Sequence, residues 1–305
     1  MDNEIISIKE FTKSYDDFVA VNKIDFSVKE GEIFGLLGPN GAGKTTTLEC
    51  LEGLRLPDSG ELHILGVDPH RDPRKLRNII GVQLQTSGLP DTMTVREAMN
   101  FFSAYHASPP NYEILTRMGL DEKRDTQYHQ LSTGQKRRLS LALAIAHDPP
   151  VIILDEPTAG LDVASRSELH GIMQELRAGG TTIILATHDM AEAEKMTDRV
   201  AILLRGQIVD SGSPRELTSK GGGLTKISVR TDASLLHEHL GEFPAVTQQL
   251  IKEEYTIYYS TDPGATVSAL LEFIKVQGDN LIDLRVERPT LEERFLEITT
   301  AGGIQ

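Results

Sequence analysis

The eight residues Gly38-Pro39-Asn40-Gly41-Ala42-Gly43-Lys44-Thr45 constrain this chain more than any other stretch. They follow Glu32 to Leu37, an apolar run of strand length, and they open a segment of helical character. Three glycines let the backbone wrap a polyphosphate with successive N–H groups turned inward, and the helix that follows adds its positive N-terminal end. In such a loop Lys44 reaches the β- and γ-phosphates and the Thr45 hydroxyl ligates Mg²⁺. An ordinary glycine turn ahead of a helix has no need of Lys-Thr directly after its third glycine. The loop therefore implies nucleotide binding, without choosing among the families that use it.

Two further apolar runs, Val151 to Leu154 and Thr181 to Ala186, are too short for helices and have no polar face. Strands apolar on both sides and separated by helical stretches imply a parallel sheet covered on both faces. The first of these runs ends in Asp155-Glu156, at the crevice where such sheets bind ligands. Asp155 is placed to hold Mg²⁺ through water, and Glu156, facing the other way, to polarise an attacking water as general base. His188 closes the other run in the same manner, and Asp189 with Glu192 reads as a capping box that starts a helix and aims His188 at the same edge. Leu131-Ser132-Thr133-Gly134-Gln135 opens an amphipathic helix, with Ser132 and Gln135 as another capping box. A helix N-terminus with a free hydroxyl and a glycine is also an anion site. It lies far along the chain from the phosphate loop, so two chains arranged head to tail can apply both to one ATP where a single chain cannot.

The 305 residues suit one large and one small domain. A net charge of −14 and no tryptophan argue against a nucleic-acid partner, and Cys50, the single cysteine, leaves no disulfide framework and fits a reducing cytosol. Met1 to Lys13 alternates apolar with polar residues and is no signal peptide, and no apolar run approaches the roughly 20 residues of a bilayer-spanning helix. The segment from about Pro90 to His147 reads as helical, with Thr94 and Glu97 as a capping box, and Val200 to Val209 as a hairpin turning at Arg205-Gly206. Lys220-Gly221-Gly222-Gly223 reads as a linker. Beyond it the periodicity gives strand (Lys226 to Arg230), helix (Ser234 to Leu240), two strands (Val246 to Ile251 and Tyr255 to Ser260), helix (Ala265 to Val276) and strand (Leu281 to Val286). That order suggests a small ferredoxin-like unit, followed by a last helix capped by Thr290 and Glu293.

Taken in order, GPNGAGKTT (Gly38 to Thr46), LSTGQ (Leu131 to Gln135), ILDEP (Ile153 to Pro157), AGLD (Ala159 to Asp162) and ATHD (Ala186 to Asp189) resemble the ABC ATPases over about Ile5 to Leu217. The resemblance implies an α/β P-loop NTPase, with a RecA-like core, an antiparallel β subdomain and a helical signature subdomain at about 90–147. This occupies residues 1–220, with a small α/β accessory or regulatory domain at 224–305. It implies ATP and Mg²⁺ held by Gly38 to Thr46 (Pro39, Asn40, Gly41, Ala42, Gly43, Lys44 and Thr45 between them), by Asp155, and by Ser132, Gly134 and Gln135 of a second ATPase subunit. Tyr15 is similar to the aromatic that stacks on adenine, although a turn residue between Phe11 and Val21 is its plain alternative. Gln85 is similar to the glutamine that senses Mg²⁺ and water while its loop meets the membrane permease, with Gln83 as a rival, and Asp162 matches the acid that crosses the dimer interface. Thr133 departs from the usual glycine of the signature. The ending Arg288 to Thr299 resembles drug-resistance and ABC-2-type exporter ATPases, which implies an ATP-hydrolysing subunit at the inner face of the cell membrane that drives a separate permease through the region of Leu89 and Pro90, both expected to be exposed. ABC ATPases of translation or DNA repair are the alternative, disfavoured by the single signature motif and the absence of a heptad run.

Overall fold

A computed structural model describes residues 3–84, 88–220, 224–238 and 243–301. The strand ahead of the phosphate loop, Ile33–Leu37, lies inside a six-stranded sheet. The sheet order is Ile80–Gln83, Val151–Asp155, Thr182–Thr187, Ile33–Leu37, Arg199–Leu204 and Gln207–Gly212. The first five strands run parallel and the last is antiparallel. Every residue of Ile33–Leu37, Val151–Asp155 and Thr182–Thr187 is buried, which is why these strands carry no alternation in sequence. Register does the rest. Leu37 pairs with Thr187 and Asp155 with Ala186, so the phosphate loop, the acidic pair and His188 all leave the sheet at one edge.

The edge strand Ile80–Gln83 has no counterpart in the sequence reading, being four residues long with a glycine inside it. Gly81 is there for close approach: a Cβ at this position would lie 2.0 Å from the Ala144 carbonyl oxygen of the helix Thr133–Ile145. That helix is not amphipathic throughout, since all of Leu139 to Ile145 is buried, and it belongs to the core of the helical segment rather than to its surface. The segment also holds the helices Val95–Tyr105 and Glu113–Arg117. Both capping boxes expected in it, at Thr94 with Glu97 and at Ser132 with Gln135, are formed.

A three-stranded antiparallel sheet, in the order Phe18–Lys29, Glu4–Tyr15 and Ser59–Ile64, buries Ile6, Ile8, Phe11 and Ile24 in one core with Phe34 and Leu36 of the central sheet. The expected hairpin turns at Arg205 (φ 49°) and Gly206 (φ 76°), two left-handed residues whose twist matches the flanking strands.

The chain divides between Pro214 and Arg215 into two compact units. The second carries four antiparallel strands in the order Val246–Lys252, Tyr255–Ser260, Thr225–Thr231 and Leu281–Glu287, with helices Leu235–Glu238 and Pro263–Gln277. This is the ferredoxin-like arrangement that the element order suggested. Its core is Ile227, Val229, Leu236, Tyr258, Leu270 and Ile274. The last helix, Leu291–Ala301, has its capping box, with Thr290 and Glu293 bonding reciprocally. The glycine run 221–223, read as a linker, lies outside the described residues. Among the described residues no helix is long and apolar enough to cross a membrane.

Candidate functional site

The phosphate loop is held in shape by its own residues. Gly43 (φ 107°) caps the helix Lys44–Leu51, in a conformation that L side chains rarely adopt. A Cβ on Gly38 would lie 2.2 Å from the Leu203 carbonyl oxygen, so the loop also needs glycine for space. Lys44 is buried and its ammonium donates to the carbonyls of Gly38 at 2.7 Å and Pro39 at 3.2 Å. Burial lowers the Lys44 pKa from its ordinary value, against the raising effect of Glu156, whose Oε1 lies 3.6 Å from Nζ. A hollow of about 340 Å³ is lined by Pro39 to Gly41 and Gly43 to Thr46 of this loop together with Glu156, Tyr15, Phe18 and Ala20.

The two residues of the acidic pair have different partners. Asp155 accepts from the Thr45 hydroxyl through Oδ2 at 2.9 Å, while its Oδ1 is buried with no hydrogen-bond partner among the described residues. Burial raises the Asp155 pKa and the Thr45 bond opposes it. A hydroxyl and an orphaned carboxylate oxygen beside a phosphate cradle fit a hard divalent cation such as Mg²⁺, which keeps several waters and takes phosphate oxygens as further ligands. Glu156 sits at φ 50°, a strained conformation for a non-glycine residue, and is fixed there by its N–H donating to the Ala186 carbonyl at 3.0 Å. His188 Nδ1 lies 2.8 Å from Glu156 Oε1 and 2.7 Å from Oε2. One side chain thus faces both the buried lysine and the half-open imidazole.

Tyr15 is half-buried on the wall of the hollow, its hydroxyl 3.5 Å from the Thr46 hydroxyl and the Arg55 guanidinium 5.2 Å from its ring centre. The sequence reading passed over Phe18, an exposed aromatic on the same wall, because its neighbours across the turn are not its neighbours in pattern. Gln85 lies outside the described residues. Gln83 ends its strand almost fully buried. Leu89, expected to be exposed, is half-buried against the helical core, while Pro90 is exposed.

Ser132, Gly134 and Gln135 do not line the hollow. They form a helix start in which Ser132 is exposed and Gly134 and Gln135 are half-buried, with Ser132 and Gln135 held by their reciprocal bonds of 2.9 and 3.2 Å. The departure at Thr133 points its side chain into solvent. Asp162 caps the helix Val163–Ala178 by accepting from the Ser165 N–H at 2.9 Å and its hydroxyl at 2.8 Å, and these bonds hold its pKa below the ordinary value.

The expected capping box at Asp189 is half made. Asp189 accepts from the Glu192 N–H at 3.0 Å, but the Glu192 side chain turns inward instead of back to the cap. Its carboxylate accepts from the hydroxyls of Thr158 at 2.7 Å and Thr187 at 2.7 Å, and lies 2.9 Å from His170 Nε2. Burial alone would raise its pKa, yet those three partners bring it below the ordinary carboxylate value. Glu192 therefore ties the loop after Glu156, the strand before His188 and the helix after Asp162 to one point. Glu192→Ala strands three buried partners at about 1–3 kcal/mol each, so urea unfolding is expected to show a loss of about 3 kcal/mol or more. Unchanged stability together with unchanged turnover would show that the hub holds nothing.

A family model described as ABC transporter matches residues 21–159. The chain is 38% identical to the Nod factor export ATP-binding protein I of Burkholderia orbicola (strain AU 1054), over 87% of this chain and 89% of that protein. It is 36% identical to the protein of that name from Rhizobium meliloti (strain 1021), over 96% and 88%. Among solved structures, an ATP-binding subunit of an ABC transporter superposes with a TM-score of 0.67 at 28% identity, over 72% of this chain and 93% of that one. A dimeric ATP-binding cassette in a post-hydrolysis state with ADP and Pi does so with a TM-score of 0.63 at 26% identity, over 68% and 98%.

Proposed function

This chain belongs to the ABC transporter family as an ATP-binding and ATP-hydrolysing subunit, and from that premise we propose that two copies close head to tail over two ATP and drive an export permease at the inner face of the membrane. The observation that carries the reading is the position of Glu156, 3.6 Å from Lys44 and within hydrogen-bond reach of His188. On ATP binding, Lys44 exchanges Glu156 for the β- and γ-phosphates, which frees the carboxylate to take a proton from the attacking water. His188 then holds the γ-phosphate end from the other side of that carboxylate.

Tyr15 takes the adenine, and the loop N–H groups from Asn40 to Thr46 take the phosphates. Thr45 and Asp155, with Gln85, are the residues that would hold Mg²⁺, whose charge neutralises the β- and γ-phosphate oxygens when it is bound. Ser132 is exposed, with Gly134 and Gln135 half-buried next to it, and the positive end of their helix meets the ATP of a second copy, with the Asp162 carboxylate crossing the same interface. Closure of the two copies then moves whatever is seated near residues 84–90, and hydrolysis releases it.

The export direction rests on the relatives, which are named for Nod factor export. The small C-terminal unit carries no catalytic constellation among its described residues and serves assembly or regulation. The test is mild-detergent purification of the tagged chain from its native membranes. A multi-span protein that co-purifies and raises ATP hydrolysis is the expected result. Recovery with ribosomes or nucleic acid and no membrane protein would overturn the transport role.

A further inference from the structure

A second hollow, of about 520 Å³, lies away from the phosphates, between the strand Ile80–Gln83 and the helix Val95–Tyr105. Leu54, Leu84, Phe102 and Tyr105 form its walls, and Leu54 is 62% exposed, so the rim is apolar and open to solvent. Two polar side chains line the same hollow. Glu52 is 8% exposed and neither of its carboxylate oxygens has a hydrogen-bond partner among the described residues. Gln83 is 1% exposed, and neither its Oε1 nor its Nε2 has one.

Burial, with the charges of Asp155 and Glu49 adding to it, pushes the Glu52 pKa up to about 8. The groups nearby do not relieve it. Arg77 lays its guanidinium over the Tyr105 ring, 4.6 Å from its centre, and makes no ion pair with Glu52. Arg55 is paired with Glu49. Buried polar groups are nearly always paired, and a whole buried carboxyl and a whole buried amide lining one hollow, both without partners among the described residues, is a rare arrangement in a finished interior.

We propose that Glu52 and Gln83 are the receptor for one basic side chain, Lys or Arg, carried on an apolar segment of the membrane partner that seats in this groove. The inference rests on the permease reading above and names the chemistry of its contact. An incoming guanidinium or ammonium donates to both Glu52 oxygens and to Gln83 Oε1, while Gln83 Nε2 donates to a carbonyl of the same segment. The rings of Phe102 and Tyr105 flank the cation, and the leucines cover the apolar residues on either side of it. A segment without the basic residue leaves a buried carboxyl unpaired, so the pair selects the right partner more than it adds raw affinity.

The test places a photo-cross-linking residue at Leu54 in the full-length chain, expressed in its own cells, and sequences the captured peptide. Captured peptide from a multi-span membrane protein, with Lys or Arg within one helical turn of the cross-link, is the expected result. Glu52→Gln should lower the co-purified membrane protein by about tenfold and Glu52→Lys to background. ATP hydrolysis by the isolated chain, unchanged in both variants, reports that they fold. Changing the captured basic residue to Glu should restore association with the Glu52→Lys chain. A captured segment with no basic residue, or undiminished association in the Glu52→Gln chain, overturns this inference and leaves the permease reading standing. Capture of a second copy of the chain, or of no membrane protein, overturns the permease reading itself.

Discussion

Glu156→Gln is expected to cut ATP turnover by at least about 100-fold while leaving ATP binding intact, the range over which a positioned general base acts. The side chain is held in place by more than its charge. Its backbone sits at φ 50° and is fixed by the bond to Ala186, and neither feature depends on the carboxylate. Glutamine has the same shape and can still bond to His188, but it cannot take a proton from water. The variant should therefore load ATP, close with a second copy through Ser132 and Gly134, and stay closed. Size-exclusion chromatography with ATP should show a stable dimer that the native chain forms only transiently. A Glu156→Gln chain that stays monomeric in ATP and hydrolyses at the native rate would remove both the base and the head-to-tail arrangement from this account.

Lys44→Ala is expected to weaken ATP binding by about 100-fold, the loss that follows from one or two charge-assisted hydrogen bonds to phosphate. Lys44 holds the loop in shape by donating to Gly38 and Pro39 and faces Glu156 at 3.6 Å. Removing it loosens the loop carbonyls, leaves Glu156 buried with only His188 beside it, and takes away the cation that meets the γ-phosphate. Arginine is not expected to rescue, because the loop is packed hard at Gly38 against Leu203 and a wider, forked group has no room. Titration with a fluorescent ATP analogue reads the affinity directly. Native affinity in Lys44→Ala would mean that the backbone N–H groups alone bind the phosphates.

Much of this molecule is legible in the chain itself, and the legible parts share one property. The phosphate loop, the Thr94, Ser132 and Thr290 caps and the Arg205-Gly206 turn are each decided by residues one to seven positions apart. The buried strands announce themselves because burial on both faces removes every polar residue from a short run. The β-α-β-β-α-β order of the last 80 or so residues likewise follows from periodicity alone.

Where the reading went astray, a choice among distant partners was involved. Glu192 has the spacing of a capping-box residue, and sequence offers no reason to assign it elsewhere. Only the parallel register, which brings Thr158, Thr187 and His170 around it, made the buried bonds win over the exposed one. Gly81 hides an edge strand because its purpose, contact with the Ala144 carbonyl, lies 63 residues away. Glu52 looks like one more acid on a helix end until the fold buries it and leaves its two oxygens without a hydrogen-bond partner among the described residues. The phosphate loop and the helix caps can be read from the chain, because both are written in neighbouring residues. Tertiary contacts settle which buried carboxylates are satisfied among the described residues, as at Glu192, and which are not, as at Glu52, because that depends on distances set across the sheet and not along the chain.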